Sequence, residues 1–132
     1  MAIRDIKSNL VVKVGASLTV TADGVMTGAT YDTADYDMGI MLALTALAYT
    51  DGDHAISLQD SDDGSSWADV AADGVIGEVT ISSAYTPSTA IPSLGLFSNR
   101  RYVRVKITST SVTTGAMLVP IFVFGAEQLP TA

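Results

Sequence analysis

Residues 101–108 have the sequence RYVRVKIT, the clearest strand pattern in the chain. Apolar Val103, Val105 and Ile107 alternate there with charged or hydroxyl-bearing side chains, which gives the segment one apolar face and one polar face. A half-buried β-strand has this period of two residues. The segment therefore predicts a strand that packs its valines on a core and holds its Arg and Lys side chains in solvent.

Similar short apolar segments lie on either side of this strand, separated by Gly, Asp, Ser and Thr. They comprise residues 10–22, 38–49, 54–59, 75–82 and 116–124. Gly15 interrupts the first segment, which predicts either one bent strand or two short ones. Pro120 places the last segment at a sheet edge or at a bulge, because proline has no N–H for the ladder.

Residues 38–49, MGIMLALTALAY, allow two interpretations. Their Met, Leu and Ala content favours a helix, whereas the flanking turn residues and the strand-rich surroundings favour a buried central strand. We predict the strand. The turn residues 51–53 and the alternating residues 54–59 follow it, so residues 38–59 are predicted to form a β-hairpin.

A second hairpin turn is predicted at residues 60–70, DSDDGSSWADV, because Asp side chains bond nearby backbone and Gly supplies a positive φ. Trp67 should then cap the core or enter it from the edge of the next strand. Polar residues 27–37 and residues 85–92, which contain two prolines, are predicted to be loops.

Together these segments predict an all-β fold, a single-domain antiparallel β-sandwich of jelly-roll-like form over residues 10–132. Residues 1–9 are predicted to form an N-terminal arm or edge segment outside it. The full chain has 132 residues, 48% of them hydrophobic, which is enough for one core. It has no cysteine, so no disulfide supports the fold.

Charge and hydropathy exclude several classes of protein. The net charge of −7 argues against a nucleic-acid partner, and no apolar stretch reaches the ~20 residues of a membrane-spanning helix. No secretory signal is evident, so we expect synthesis in the host cytoplasm. Residues 23–78 contain twelve acidic residues and no Lys or Arg. The molecule is therefore either electrostatically two-sided, or its basic segments pair with acidic loops.

Residues able to perform catalysis are few. His54 is the only histidine, no cysteine is present, and no serine lies in a nucleophile elbow, so we expect no enzyme and no catalytic or cofactor-binding residues. His54 is predicted to be an exposed, structural residue beside a turn. The acidic run before Gly64 fails the EF-hand spacing. We predict no metal site, although an irregular calcium site stays open.

Residues 100–104 place arginines beside an aromatic residue. This combination fits a nucleic-acid groove, the solvent face of an edge strand or a protein-contact surface. The predicted partner-contact residues are Arg4, Lys7, Arg100, Arg101 and Arg104.

Residues 57–70, SLQDSDDGSSWADV, and residues 99–105, NRRYVRV, resemble a pattern found in capsid cement, or head decoration, proteins of tailed bacteriophages. The resemblance implies a β-sandwich on the capsid exterior of the virion that bridges major capsid protein subunits. Such proteins are usually homo-oligomers, often trimers or dimers. From charge, motifs and hydropathy we expect no cofactor, no nucleic-acid partner and no membrane partner. The pattern is also similar to carbohydrate-binding and tail-associated β-sandwich modules, which remain the alternative.

Two further features bear on assembly. Residues 1–9 either order on the capsid as an arm or form an edge strand or frayed terminus. Met38, Met41 and residues 117–124 hold more apolar surface than a small sandwich needs. A subunit interface would cover it, unless both segments are simply central core strands.

Overall fold

The structure, a computed structural model, describes residues 10–33, 39–83, 93–96 and 100–125. These residues form strands, turns and one short 3-10 turn at Ala72–Gly74. In chain order the strands are β1 (Leu10–Val14), β2 (Leu18–Val20), β3 (Gly24–Thr27), β4 (Tyr31–Asp32), β5 (Gly39–Tyr49), β6 (Asp53–Ser61), β7 (Ala68–Asp69), β8 (Val75–Ile76), β9 (Val79–Ile81), β10 (Ser93–Leu96), β11 (Tyr102–Thr110) and β12 (Ala116–Gly125).

The strands form two antiparallel sheets that pack face to face, which confirms the predicted all-β sandwich. In the first sheet the order is β1-β12-β5-β10-β8, and β2 lies beside β12 at the end that β1 leaves unpaired. In the second sheet the order is β3-β11-β6-β7, with β4 also on β11 and β9 also on β6. No helix in the described part of the chain could cross a membrane.

The core lies between the sheets, and strand alternation fills it. From β11, Val103, Val105 and Ile107 are fully buried, as their spacing predicts. From β12, Phe122 and Phe124 enter the same layer with their ring centroids 5.8 Å apart and nearly parallel planes. Every second side chain of these two strands therefore anchors one sheet to the other.

Residues 39–49 form the strand β5, as predicted, but residues 38–59 do not form a hairpin. β5 lies in the first sheet and β6 in the second, so the turn at Asp51 and Gly52 carries the chain from one sheet to the other. The prediction was wrong because both strands turn apolar residues toward one core from opposite sides. Alternation identifies a strand but not its neighbour.

Gly15 separates two short strands, β1 and β2, and both pair with β12. Pro120 is in the interior of the first sheet and not at its edge. Its carbonyl accepts the N–H of Gly15 at 2.9 Å, so its ring nitrogen also points toward the break between β1 and β2. The missing donor of Pro120 thus costs no ladder hydrogen bond. The register irregularity of β12 lies at Met117 and Leu118.

Residues 75–82 form two strands in different sheets, where one had been predicted. Gly77, with φ of 96°, separates β8 in the first sheet from β9 in the second. The predicted turn over residues 60–70 is confirmed, because β6 and β7 pair antiparallel. The predicted loop at residues 85–92 lies outside the described residues.

Candidate functional site

The turn between β6 and β7 is held by one carboxylate. Asp63 Oδ1 accepts the backbone N–H groups of Ser65 and Ser66, both at 2.8 Å, and the Ser61 hydroxyl at 3.0 Å. Ser61 Oγ in turn accepts the N–H of Gly64 at 2.9 Å. The bonds from Ser66, Ser65 and Ser61 lower the pKa of Asp63 to about 2. Within the acidic run, Asp63 therefore has a structural role in holding the turn. Within the described ranges, no three His, Cys, Asp or Glu side chains group as metal ligands.

This turn should give the protein a measurable acid sensitivity. The folded pKa of Asp63 lies below its ordinary 3.8, so its stabilisation is present above pH 3.8 and is lost as the pH falls toward about 2. Asp63→Asn keeps an acceptor oxygen but cannot titrate. We expect its free energy of unfolding, from urea titrations, to fall less than that of the wild type between about pH 4 and about pH 2. Parallel profiles for the two proteins would contradict this assignment, and Asp73→Asn is the control.

Beside this turn, a chain of polar contacts crosses the outward face of the second sheet. The Arg104 guanidinium lies 4.2 Å from the centroid of the Trp67 ring, and its Nε donates to Gln59 Oε1 at 2.9 Å. Gln59 Nε2 donates to Asp69 Oδ1 at 2.9 Å, and Lys106 Nζ lies 3.0 Å from Asp69 Oδ2. The hydrogen bonds from Gln59 and Lys106 lower the pKa of Asp69.

Trp67 therefore does not enter the core. Its half-buried ring lies on the outward face because Arg104 projects there, between the buried Val103 and Val105. A cation–π contact with a guanidinium satisfies a tryptophan face without burial in the core. The covered ring face is not available for stacking on a sugar.

Two other predicted contact residues, Arg100 and Arg101, directly precede β11. Arg101 makes a two-point contact with Asp32, with Nε to Oδ1 at 3.0 Å and Nη2 to Oδ2 at 2.8 Å. Arg100 has its Nε 3.6 Å from Asp60 Oδ1 and its Nη1 3.8 Å from Asp62 Oδ2. Arg100 and Arg101 thus lie just before β11, and Arg104 lies within it. Arg4 and Lys7, together with the whole predicted arm, lie outside the described residues.

These contacts bear on the uneven charge of the sequence. Arg100, Arg101 and Lys106 each approach an acidic residue from the run between residues 23 and 78. In the described part of the chain, basic residues therefore pair with acidic residues from this run. This agrees with the second interpretation of the uneven charge, in which basic segments pair with acidic loops. Arg100 and Arg101 nevertheless keep about half of their side-chain surface in solvent.

His54 is buried and not exposed as predicted. Its Nδ1 lies 2.8 Å from Ser109 Oγ, and its Nε2 lies 3.1 Å from the Asp51 carbonyl. The carbonyl can only accept, so Nε2 carries a hydrogen; in a neutral imidazole the Ser109 hydroxyl then donates to Nδ1. Both side chains are shielded from solvent. This serine–histidine pair resembles part of a hydrolytic site, yet no substrate could reach it without opening the sandwich.

The outward face of the first sheet is apolar. The sequence indicated this only through the excess apolar surface of Met41 and residues 117–124. One row across this face runs Val12, Val123, Met41, Gly95 and Ile76, in register through five strands. The signal in the sequence is that β12 has apolar residues at both alternating sets of positions. β5 and β12 are central strands that fill the core, and they also contribute apolar residues to the outward face. Their apolar content is therefore compatible both with central core strands and with a subunit interface. Met38 lies outside the described residues.

This sandwich has a known structural relative. The chain is similar to the PBSX exported protein XepA. The two structures superpose with a TM-score of 0.62 at 14% sequence identity, over 92% of this chain and 39% of the XepA chain. The chain thus spans well under half of the length of XepA. At this identity the likeness shows the fold alone. No protein-family model matches the chain, and no curated protein sequence matches it.

Proposed function

We propose that the chain is a structural virion protein of a tailed bacteriophage that binds the outer surface of the capsid and bridges major capsid protein subunits. The observation that carries this proposal is the position of the two segments that resemble cement proteins. Residues 57–70 form the end of β6, the turn and β7, and residues 99–105 include the start of β11, which pairs with β6. The two segments thus form one structural unit with one outward face.

That outward face has the chemistry of a protein-contact surface. Arginine and tryptophan are over-represented among residues that dominate binding energies. Arg104 lies against Trp67, and Arg101 lies 5.2 Å from the Tyr102 ring centroid. Planar groups held in this way lose little conformational freedom when a partner covers them. Neighbouring Arg100 adds positive charge for an acidic partner surface.

The similarity in fold to XepA supports a phage-related role, without specifying capsid binding. XepA is an exported protein of phage PBSX, so a sandwich of this form occurs in a phage protein. The word "exported" in its description also favours a second candidate, a tail-associated or released phage module. A carbohydrate-binding module receives less support, because Arg104 covers one face of Trp67. We propose no enzymatic activity, since the buried His54 and Ser109 pair has no access to a substrate.

The direct test is binding to capsid shells. Empty shells assembled from the major capsid protein of a candidate tailed bacteriophage are incubated with purified protein and pelleted, and the bound fraction is measured. We expect saturable binding and, by cryo-electron microscopy, ordered density outside the shell at symmetry-related positions. Shells that stay bare at saturating protein would overturn the proposal, and a glycan array would then test the alternative.

Two variants test which residues make the contact. Arg101→Gln should weaken shell binding about tenfold, the size of a moderate interface residue. Lys13→Gln removes the same charge from the first sheet, where Nζ lies 5.8 Å from the Phe124 ring centroid, and should bind like the wild type. Equal losses in both variants would show that net charge and not this face governs binding. Deletion of residues 2–8 tests the arm, and unchanged binding would exclude it.

A further inference from the structure

The two outward faces of the sandwich differ in charge. Lys13 is the only charged residue within the six strands of the first sheet as described, and it contacts the Phe124 ring, which belongs to the core side. The six strands of the second sheet hold charged residues at several positions, among them Arg104, Lys106 and Asp69. The described strands of the first sheet thus present an outward face without a charged side chain.

The apolar face has solvent-exposed residues on both edge strands and on the central strand β5. Val12 and Val14 on β1 are 59% and 64% exposed, Met41 on the central strand β5 is 40% exposed, and Ile76 on the opposite edge is 57% exposed. A second row lies beside the first, because Val14 pairs with Ile121 and Ile121 with Ala43. Exposed apolar patches of this kind on a soluble domain mark interaction surfaces.

The size of this face suits a contact between two copies. With strands about 4.8 Å apart and side chains on one face about 6.8 Å apart, five strands and the outward positions of β12 cover roughly 500 Å². Two stacked copies would remove on the order of 1,000 Å² from solvent, which is where specific interfaces begin.

Charge favours a second copy over an unrelated acidic or basic surface. A charged partner would have to desolvate its ionic groups against a face that offers them no counter-charge. A second copy supplies an equally uncharged face with the same sheet twist, and two such sheets can stack about 10 Å apart. Stacking also keeps the acidic loops and second sheets of the two copies away from the contact, which limits repulsion between two molecules of net charge −7.

We propose that the outward face of the first sheet is a self-association surface, on which two copies stack face to face about a two-fold axis. The contact is isologous, so the row through Val12, Met41 and Ile76 meets the same row of the partner. It leaves the face that carries Trp67 and Arg104 open on both copies. The proposal does not depend on capsid binding, and it goes beyond that function by assigning the surface of the homo-oligomer.

The test is the mass of the free protein by sedimentation equilibrium, without shells, up to about 100 μM, a range that detects dimers of modest affinity. The wild type should show a dimer of the 13.7 kDa chain. Val12→Lys should raise the dissociation constant at least tenfold, although it reduces the net negative charge. Val25→Lys is the matched control, since Val25 is 58% exposed on β3 of the second sheet, and it should dimerise like the wild type.

A wild type that stays monomeric throughout this range would overturn the proposal, as would equal effects of Val12→Lys and Val25→Lys. Circular dichroism verifies that each variant is folded. A second measurement uses the absence of cysteine from the chain. Met41→Cys lies near the centre of the proposed contact and should give dimers with a bis-maleimide about 10 Å long, matched to the spacing of stacked sheets. Val25→Cys should not, and equal cross-linking of the two would also overturn the proposal.

Discussion

Replacement of Gly115 by alanine should lower the free energy of unfolding by at least ~3 kcal/mol, enough to unfold a domain of ordinary stability in part. A Cβ at this position would lie 1.7 Å from the carbonyl oxygen of Val20, which is backbone and cannot rotate away. The φ of Gly115 is 107°, which side-chain-bearing residues rarely adopt. The same residue also donates its N–H to Asp51 Oδ1 at 2.8 Å.

Gly24→Ala separates the two causes of this loss. Gly24 has φ of 142°, but nothing lies within 4 Å of a Cβ built there. Gly24→Ala should therefore lower the free energy of unfolding only through backbone strain, by about 1–2 kcal/mol. Urea unfolding of both variants gives the comparison. If Gly115→Ala lost no more stability than Gly24→Ala, the close approach of β2 to the turn before β12 would be wrong.

Phe122→Ala should lower the free energy of unfolding by about 3–5 kcal/mol, the cost of an aromatic-sized cavity in a packed core. Phe122 is fully buried, and its ring centroid lies 4.8 Å from that of Tyr31 and 5.8 Å from that of Phe124. Tyr31 comes from β4 of the second sheet. Loss of the ring should therefore weaken the contact between the sheets.

The matched variant is Phe122→Leu, which keeps a large apolar side chain and loses only part of the volume. We expect a clearly smaller loss of stability, with urea unfolding midpoints in the order wild type, leucine, alanine. Thermal unfolding followed by near-ultraviolet circular dichroism would report the same order. Equal losses for the two variants would show that ring packing, and not cavity volume, sets the stability there.

The inward and outward faces of the long strands were predictable from the sequence, because alternation is a local property. Val103, Val105 and Ile107 needed no knowledge of their neighbours to be assigned to the core. Strand partners were not predictable in the same way. The turn at Asp51 and Gly52 has residues that suit a hairpin, yet it joins two sheets, and only the packing of both strands on a shared core decides between these outcomes.

The candidate site was predictable in part. The Arg-rich start of β11 was predicted to lie on an outward face, and Arg104 does lie there. Trp67 was predicted to cap the core or to enter it from the edge of the next strand, whereas the Arg104 guanidinium from a strand of the same sheet covers its ring. His54 was expected in solvent because it follows a turn. Its burial depends on Ser109, fifty-five positions away along the chain, and no local pattern indicates that pairing.

The pairing of β1 with β12 has a consequence for the order of events during synthesis. Leu10 pairs with Gly125, so a strand made among the first residues waits for one made more than a hundred residues later. β5 lacks its main neighbour for the same reason. Until β12 has been synthesised, the first sheet lacks the strand that lies between β1 and β5. Its apolar outward face is therefore incomplete. Two nascent chains should therefore not associate through that face until β12 has been made.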